Sequence, residues 1–272
     1  MEIVVNILIV ILIVWVLSLF LVAPRMINKA NRTPFMGVHY AHRGLFDNSS
    51  NAPENSLAAF KKAVDAGYGI ELDVQLSKDN QLVVFHDATL KRMCRVEGKV
   101  WEYTLEELKQ FRLLDTDEQI PTFQEFLEVV NGKVPFILEF KLDRAQTVVC
   151  QLANEVLKDY QGVYCIESFH PLALMWYRKN RPDVLRGQLC EEFFRSKEYK
   201  GKLLYTALAY LPFNFLTRPD FIAYNHAHAN NISRRICKSL GGLSVAYTIK
   251  SKEEYEIAKD HFELFIFDSC IL

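Results

Sequence analysis

The stretch Gly69-Ile-Glu-Leu-Asp-Val-Gln-Leu-Ser-Lys-Asp-Asn-Gln-Leu-Val-Val-Phe-His-Asp87 brings Glu71, Asp73, His86 and Asp87 onto what reads as one β-hairpin. Such a set suits a metal-dependent hydrolase, in which the acids hold an ion and the imidazole moves a proton. Alternation puts Glu71, Asp73 and Gln75 on one face of the first strand and Ile70, Leu72, Val74 and Leu76 on the other. Lys78-Asp-Asn-Gln81 is turn chemistry. With Asp79-Asn80 as a two-residue loop, Asp73 faces His86 and Glu71 faces Ala88, the paired Cβ atoms ~5 Å apart. A polar strand face is most often a solvated one. Here the opposite faces of both strands are rich in β-branched and leucine side chains, so both sides are committed and the polar side lines a pocket.

Upstream, Val38-His-Tyr-Ala-His-Arg-Gly44 ends a short strand in an imidazole, a guanidinium and a glycine. Arg43 offers a planar fork to two phosphate oxygens, Gly44 permits close backbone approach, and His42 exchanges a proton near neutral pH. Downstream, Pro135-Phe-Ile-Leu-Glu-Phe-Lys141 reads as another strand with Glu139 and Lys141 on one face. A Glu-x-Lys pair is commonly a surface ion pair; at a strand end it also serves as a metal ligand with a cation beside it.

Six pieces, in order, resemble the glycerophosphodiester phosphodiesterase family: Ala41-His-Arg-Gly44, Ala52-Pro-Glu-Asn-Ser-Leu-Ala-Ala-Phe60, Gly69-Ile-Glu-Leu-Asp-Val74, Val83-Val-Phe-His-Asp87 with Thr89-Leu-Lys-Arg92, Ile120-Pro-Thr122 and Leu138-Glu-Phe-Lys141. The resemblance spans roughly residues 38–268. It implies hydrolysis of glycerophosphodiesters to glycerol 3-phosphate and an alcohol. It also implies Glu71, Asp73 and Glu139 as ligands of a divalent cation, His42 and His86 as general acid and base, and Arg43 and Lys141 as the phosphate grip. Glu54 and Asn55 match the family's Pro-Glu-Asn element, which implies that Glu54 either acts directly in the site or, with Asn55, stands behind these groups; alternatively Asn55 or Ser56 simply caps the helix that Leu57 begins. An all-oxygen ligand set suits Mg²⁺ or Ca²⁺, with Mn²⁺ as a further option. The alternatives are a lysophospholipase D acting on acylated substrates and a non-catalytic phosphate- or lipid-binding barrel.

To position these groups the chain needs strands whose C-terminal ends converge. Candidate strands fall near 38–42, 69–76, 135–141, 163–168, 184–189, 220–225, 243–248 and 264–268, with 81–86 as the hairpin's extra arm. Helical segments such as 145–158 and 252–262 alternate with them, the pattern of a parallel sheet. The expected fold is α/β: a (β/α)8 TIM-type barrel over residues 38–272, with a β-hairpin and an insertion near the active site. The insertion, 88–134, contains amphipathic pieces at 104–111 and 122–130. Asp268 matches a strand-ending aspartate, but the chain stops at Leu272, so looser barrel closure is expected. Tyr247 stands where the family more often has tryptophan, and either lines the pocket or belongs to the core.

Ile3 to Ala23 is uncharged, with Asn6 and Ser18 as its only polar residues, and at 1.5 Å per residue it crosses a ~30 Å hydrocarbon layer. It reads as a single transmembrane helix over 1–24, followed by a linker over 25–37. A signal peptide is the competing reading, against which stand the missing basic n-region and the length of the run. Arg25, Lys29 and Arg32 follow the span, so the positive-inside rule puts the catalytic part in the cytosol. Cys94, Cys150, Cys165, Cys190, Cys237 and Cys270 show no paired spacing and suit a reducing compartment. With 32 basic and 33 acidic residues there is no basic surplus for nucleic acid. The apolar segment 203–216, interrupted by Pro212, is either a barrel helix or a second contact with the lipid bilayer.

Overall fold

The computed structural model describes residues 1–142, 146–195 and 201–268. Nine strands form one sheet: β1 His39–His42, β2 Gly69–Leu76, β3 Leu82–Val84, β4 Phe136–Phe140, β5 Tyr164–Ser168, β6 Arg186–Cys190, β7 Phe221–Asn225, β8 Leu243–Ile249 and β9 Leu264–Phe267. All except β3 run parallel, each paired with the next in chain order, and β1 pairs with both β2 and β9. The ring is therefore an eight-stranded closed barrel, and β3 is an antiparallel arm outside it. The expectation of loose closure is corrected. Phe265 and Phe267 sit in register with both β1 and β8.

The sheet is buried on both faces, the outward face of the strands packing against helices and the inward face filling the barrel. Ile70, Leu72 and Val74 of β2 pack outward among Phe60, Ala63 and Phe126 of the surrounding helices, with the Phe60 and Phe126 rings 4.8 Å apart edge to face. Inside the barrel a second cluster, including Tyr40, Ile137, Cys165, Phe221 and Val245, fills the lower layers. The polar residues that alternate with the outward set on β2 thus point into the barrel above that plug.

Local rules set the helices. Ser56 accepts the Ala59 N–H at 3.1 Å and caps helix Leu57–Asp65. Thr122 and Glu125 form a capping box for Phe123–Val130, which ends at Asn131 in the left-handed region. Val148–Leu157 and Lys252–Ala258 lie inside the expected helices, residue 145 being outside the described residues. The insertion builds a small core of its own from residues such as Phe85, Met93, Leu108 and Ile120, closing over one side of the barrel.

The hairpin register departs from expectation. Gln75 pairs with Val83 and Val74 with Val84, so Asp73 faces Phe85 and not His86. The cause is the turn: Ser77 N–H bonds Gln81 O at 3.0 Å, leaving a three-residue loop whose Asn80 takes φ 57°. One residue more in the loop shifts the register by one.

The apolar helix Glu2–Val22 joins the barrel at the N-terminal ends of the strands. Asn214 Nδ2 donates to Val22 O at 2.8 Å, and Phe20 meets Phe215 at 5.9 Å. Residues 25–37 then run beneath the barrel. Arg32 donates to Gly241 O and Asp220 O, and Phe35 enters the interior cluster. The 203–216 segment lies along the barrel wall as helices Leu203–Leu208 and Asn214–Thr217, burying Ala209, Leu211 and Asn214. Leu203 and Leu204 at its upper end are 83% and 62% exposed.

Candidate active site

Lateral register assembles the site. His42 of β1 is level with Glu71 of β2, and Asp73 of β2 with Glu139 of β4, which is level in turn with Glu167 of β5. Neighbouring strands lie ~4.8 Å apart, so inward carboxylates at one height must crowd. One oxygen from each of Glu71, Asp73 and Glu139 falls within 4.8 Å of the others, with all three residues buried.

These acids do not share charge equally. Burial, then the Asp73 and Glu139 charges, push Glu71 well above the usual carboxylate range. Burial also raises Glu139, against the pull of Lys141. Burial works against ionised Asp73 too, but Lys141, His86, Arg43 and Asn55 outweigh it and hold Asp73 well below its ordinary value. Lys141 Nζ lies 2.9 Å from Asp73 Oδ1 and 2.5 Å from Glu139 Oε1.

The His-Arg-Gly turn brings the second cluster in. Arg43 adopts φ 56° and Gly44 φ 85°, and a Cβ on Gly44 would sit 2.9 Å from the Ala59 backbone, so only glycine fits under the following helix. This turn aims the Arg43 N–H at Glu71 Oε2, 3.2 Å away. Its guanidinium meets Glu54 Oε1 at 2.6 Å and stands 3.6 Å from Asp73 Oδ2. Asn55 does not cap the helix; its Nδ2 donates to Asp73 Oδ2 at 2.9 Å, and Ser56 caps instead.

The imidazoles flank the acids. His42 Nε2 is 3.9 Å from Glu71 Oε2, and burial, reinforced by Arg43, keeps its pKa well below the ordinary histidine value. His86 reaches the site because β3 ends at Val84 and the chain turns inward. Its Nδ1 is 2.7 Å from Asp87 Oδ1, leaving Nε2 for a substrate. Arg92 clamps Asp87 and Glu54 together, with Nε to Asp87 Oδ2 at 2.6 Å and Nη2 to Glu54 Oε1 at 2.6 Å. Glu54 is thereby lowered to about 2: burial works against its charge, but Arg92, Arg43 and Asn48 prevail.

A chamber of about 160 Å³ opens over these groups, lined by His42, Arg43, Glu71, His86, Glu139 and Glu167 among others. It shares His42 and Arg43 with a wider polar vestibule of about 880 Å³. A model of the glycerophosphoryl diester phosphodiesterase family matches residues 42–207, more than half of the chain. The chain belongs to this family. The glycerophosphodiester phosphodiesterase of Caldanaerobacter subterraneus subsp. tengcongensis is 31% identical over 230 residues, covering 79% of this chain and 87% of that one. Among solved structures, a phosphodiesterase of Oleispira antarctica in complex with the product sn-glycerol-3-phosphate superposes with TM-score 0.69 and 25% identity, covering 86% and 93% of the two chains. The Thermotoga maritima glycerophosphodiester phosphodiesterase gives TM-score 0.63 and 26% identity over 85% and 94%.

Of the residues that the family resemblance singles out, His42, Arg43, Glu71, His86 and Glu139 line this chamber, Asp73, Lys141, Glu54 and Asn55 bond to one another or to those lining groups, and Asp268 lines the vestibule. Tyr247 lines the chamber too, its hydroxyl donating to Cys190 O at 2.9 Å. Two further groups take part to which the sequence assigns no role. Glu167, 1% exposed, has Oε2 without a hydrogen-bond partner and is raised well above the carboxylate range by burial and by Glu139. Its only signal is a carboxylate inside the strand Tyr164-Cys-Ile-Glu-Ser168. Arg92, quoted within a motif, emerges as the tie between Asp87 and Glu54.

The donor set fits a hard dication. It is all oxygen, its span matches the ~4.6–5.2 Å diameter of a Ca²⁺ shell, and Glu71 Oε1 is buried with no hydrogen-bond partner.

Proposed function

We propose that the chain hydrolyses glycerophosphodiesters to glycerol 3-phosphate and an alcohol, using a divalent cation, with His42 and His86 as the proton-transferring pair. Family membership makes it a phosphoric diester hydrolase. The observation that carries the finer reading is one cluster of three carboxylates, two imidazoles, Arg43 and Lys141: His42, Arg43, Glu71, His86 and Glu139 line the chamber, and Asp73 and Lys141 pack against them. Glu71, Asp73 and Glu139 hold the cation, which when bound supplies positive charge to the phosphodiester oxygens. Arg43 and Lys141 grip the phosphate, with Glu54 and Asn55 fixing Arg43 and Asp73. His42, kept neutral by burial, takes the proton of the attacking hydroxyl or water. His86 gives its Nε2 proton to the leaving alkoxide, its ring oriented by the Nδ1 contact with Asp87.

The chamber favours a small polar substrate. The apolar cavity beside it, sharing Phe169 and Leu189, has about 40 Å³ of space, room for a water or two and not for an acyl chain. A lysophospholipase D reading has in its favour the exposed Phe169, Leu203 and Leu204. Assay of the full chain on glycerophosphocholine against lysophosphatidylcholine separates the two. The proposal expects glycerol 3-phosphate from the first to dominate, and a reversed preference would reject it.

We further propose that Glu2–Val22 anchors the protein in a membrane, with the barrel on the cytosolic side that Arg25, Lys29 and Arg32 favour. The buried, unpaired Cys150, Cys165, Cys190 and Cys237 agree with a reducing side.

A further inference from the structure

Four arginines that the reaction does not use surround the place where the apolar helix meets the barrel. Arg25, Arg178, Arg186 and Arg218 line a cavity of about 650 Å³ whose apolar walls include Phe20 and Ile27. The cavity lies at the N-terminal ends of the strands, opposite the catalytic chamber. Arg25 and Arg186 share one carboxylate, Asp220, at 3.6 and 3.9 Å. Among the described residues, Arg178 and Arg218 have no carboxylate within 4.0 Å. Arg178 donates to Phe215 O and Leu216 O, and Arg218 to Phe20 O and Ala23 O. Arg186 is 2% exposed, and its Nη1 finds no hydrogen-bond partner. Burial lowers Arg186 to about 10; Asp220 opposes this, and Arg25 and Arg178 add to it by repulsion.

So much positive charge, with Asp220 the one carboxylate within 4.0 Å of it among the described residues, calls for an anion. Guanidinium forks match phosphate oxygens, and an apolar wall beside them matches the first methylenes of an acyl chain. The location selects among anions. The cavity begins at the last turn of Glu2–Val22, where a helix spanning ~30 Å of hydrocarbon reaches the headgroup layer, and Ile27 there is 78% exposed. Basic pockets at this depth hold lipid headgroups.

We propose that this cavity binds the phosphate headgroup of an anionic membrane phospholipid, fixing the barrel with its strand N-terminal ends toward the bilayer and its catalytic mouth turned away. The proposal rests on the reading of Glu2–Val22 as a membrane span. It places the active site toward water-borne substrates.

The test uses the full-length protein in mild detergent, incubated with phosphatidylglycerol or phosphatidylcholine and examined by native mass spectrometry. The parent should retain one phosphatidylglycerol in preference to phosphatidylcholine. Replacing both Arg178→Gln and Arg218→Gln should reduce retention about tenfold, the scale of losing charge-assisted contacts to phosphate. Lys179→Gln, an exposed neighbour outside the cavity, should change nothing. Equal retention of both lipids, a double variant that binds as well as the parent, or an equal loss with Lys179→Gln would each overturn the site. Should the double variant not fold, the parent's melting temperature decides. It should rise with phosphatidylglycerol and not with inorganic phosphate at equal concentration; no rise, or an equal rise, would refute a lipid site. Alkaline carbonate washing of membranes keeps the two readings apart. A chain that stays embedded yet retains no lipid sinks the cavity proposal alone, whereas a released chain removes the span and the cavity proposal with it.

Discussion

Glu71 illustrates how the site trades stability for chemistry. Its carboxyl is raised by burial and by Asp73 and Glu139, so above the unfolded value of ~4.3 the folded chain holds more protons than the unfolded one. Cation-free stability therefore falls as pH rises from that value, and a bound dication reverses the effect. Glu71→Gln removes the ionising group while keeping an acceptor for the Arg43 N–H. It should raise the melting temperature in chelator, read by calorimetry at pH 7, while abolishing turnover; a lower melting temperature would contradict the electrostatic account. The two imidazoles separate by leaving group. His86→Ala should cost ~10²–10⁴ in turnover of an alkyl diester and far less with a p-nitrophenyl ester, whose leaving group needs no proton. His42→Ala should depress both. Equal losses for the two variants on both esters would reject the division of labour.

At the scale of elements, the alternation of β2 was legible because its period of two is local, and both its faces point as the sequence implies. Strand positions followed for the same reason, within two residues at each end, the β3 arm included. The hairpin register was not legible: a two-residue type I′ loop needs both Asp79 and Asn80 in the left-handed region, and here Asn80 alone enters it, which closes a three-residue loop instead. Nor was Glu167, since its neighbours in the site come from β4 and β2, and its own strand gives no motif. Asn55 and Ser56 resolve an ambiguity that the sequence leaves open. Ser56→Ala should destabilise the chain by ~1 kcal/mol in urea unfolding, whereas Asn55→Ala should act mainly on turnover through Asp73. Similar stability losses for both would mean that the cap is shared.

For the whole molecule, the segment after the apolar helix is structural. Arg25, Lys29 and Arg32 read in sequence as flanking charge, but the last two bond Gly241 O, and Phe35 fills the lower barrel at 5% exposure. Phe35→Ala should cost ~3 kcal/mol by opening a cavity there. A chain starting at Pro24 should melt near the parent, and one starting at Val38 well below it; equal melting of the two truncated chains would show the segment to be a mere tether.

The central claim is that Glu71, Asp73 and Glu139 hold a divalent cation on which turnover depends. Calorimetric titration of the full chain with Mg²⁺, Ca²⁺ and Mn²⁺, in two buffers of different ionisation enthalpy, tests it most directly. One site with proton release on binding is predicted, because raised carboxyls must ionise to ligate, with affinity rising with pH and lost in Asp73→Asn. No saturable uptake of any of the three ions, or uptake unchanged in Asp73→Asn, would contradict the account.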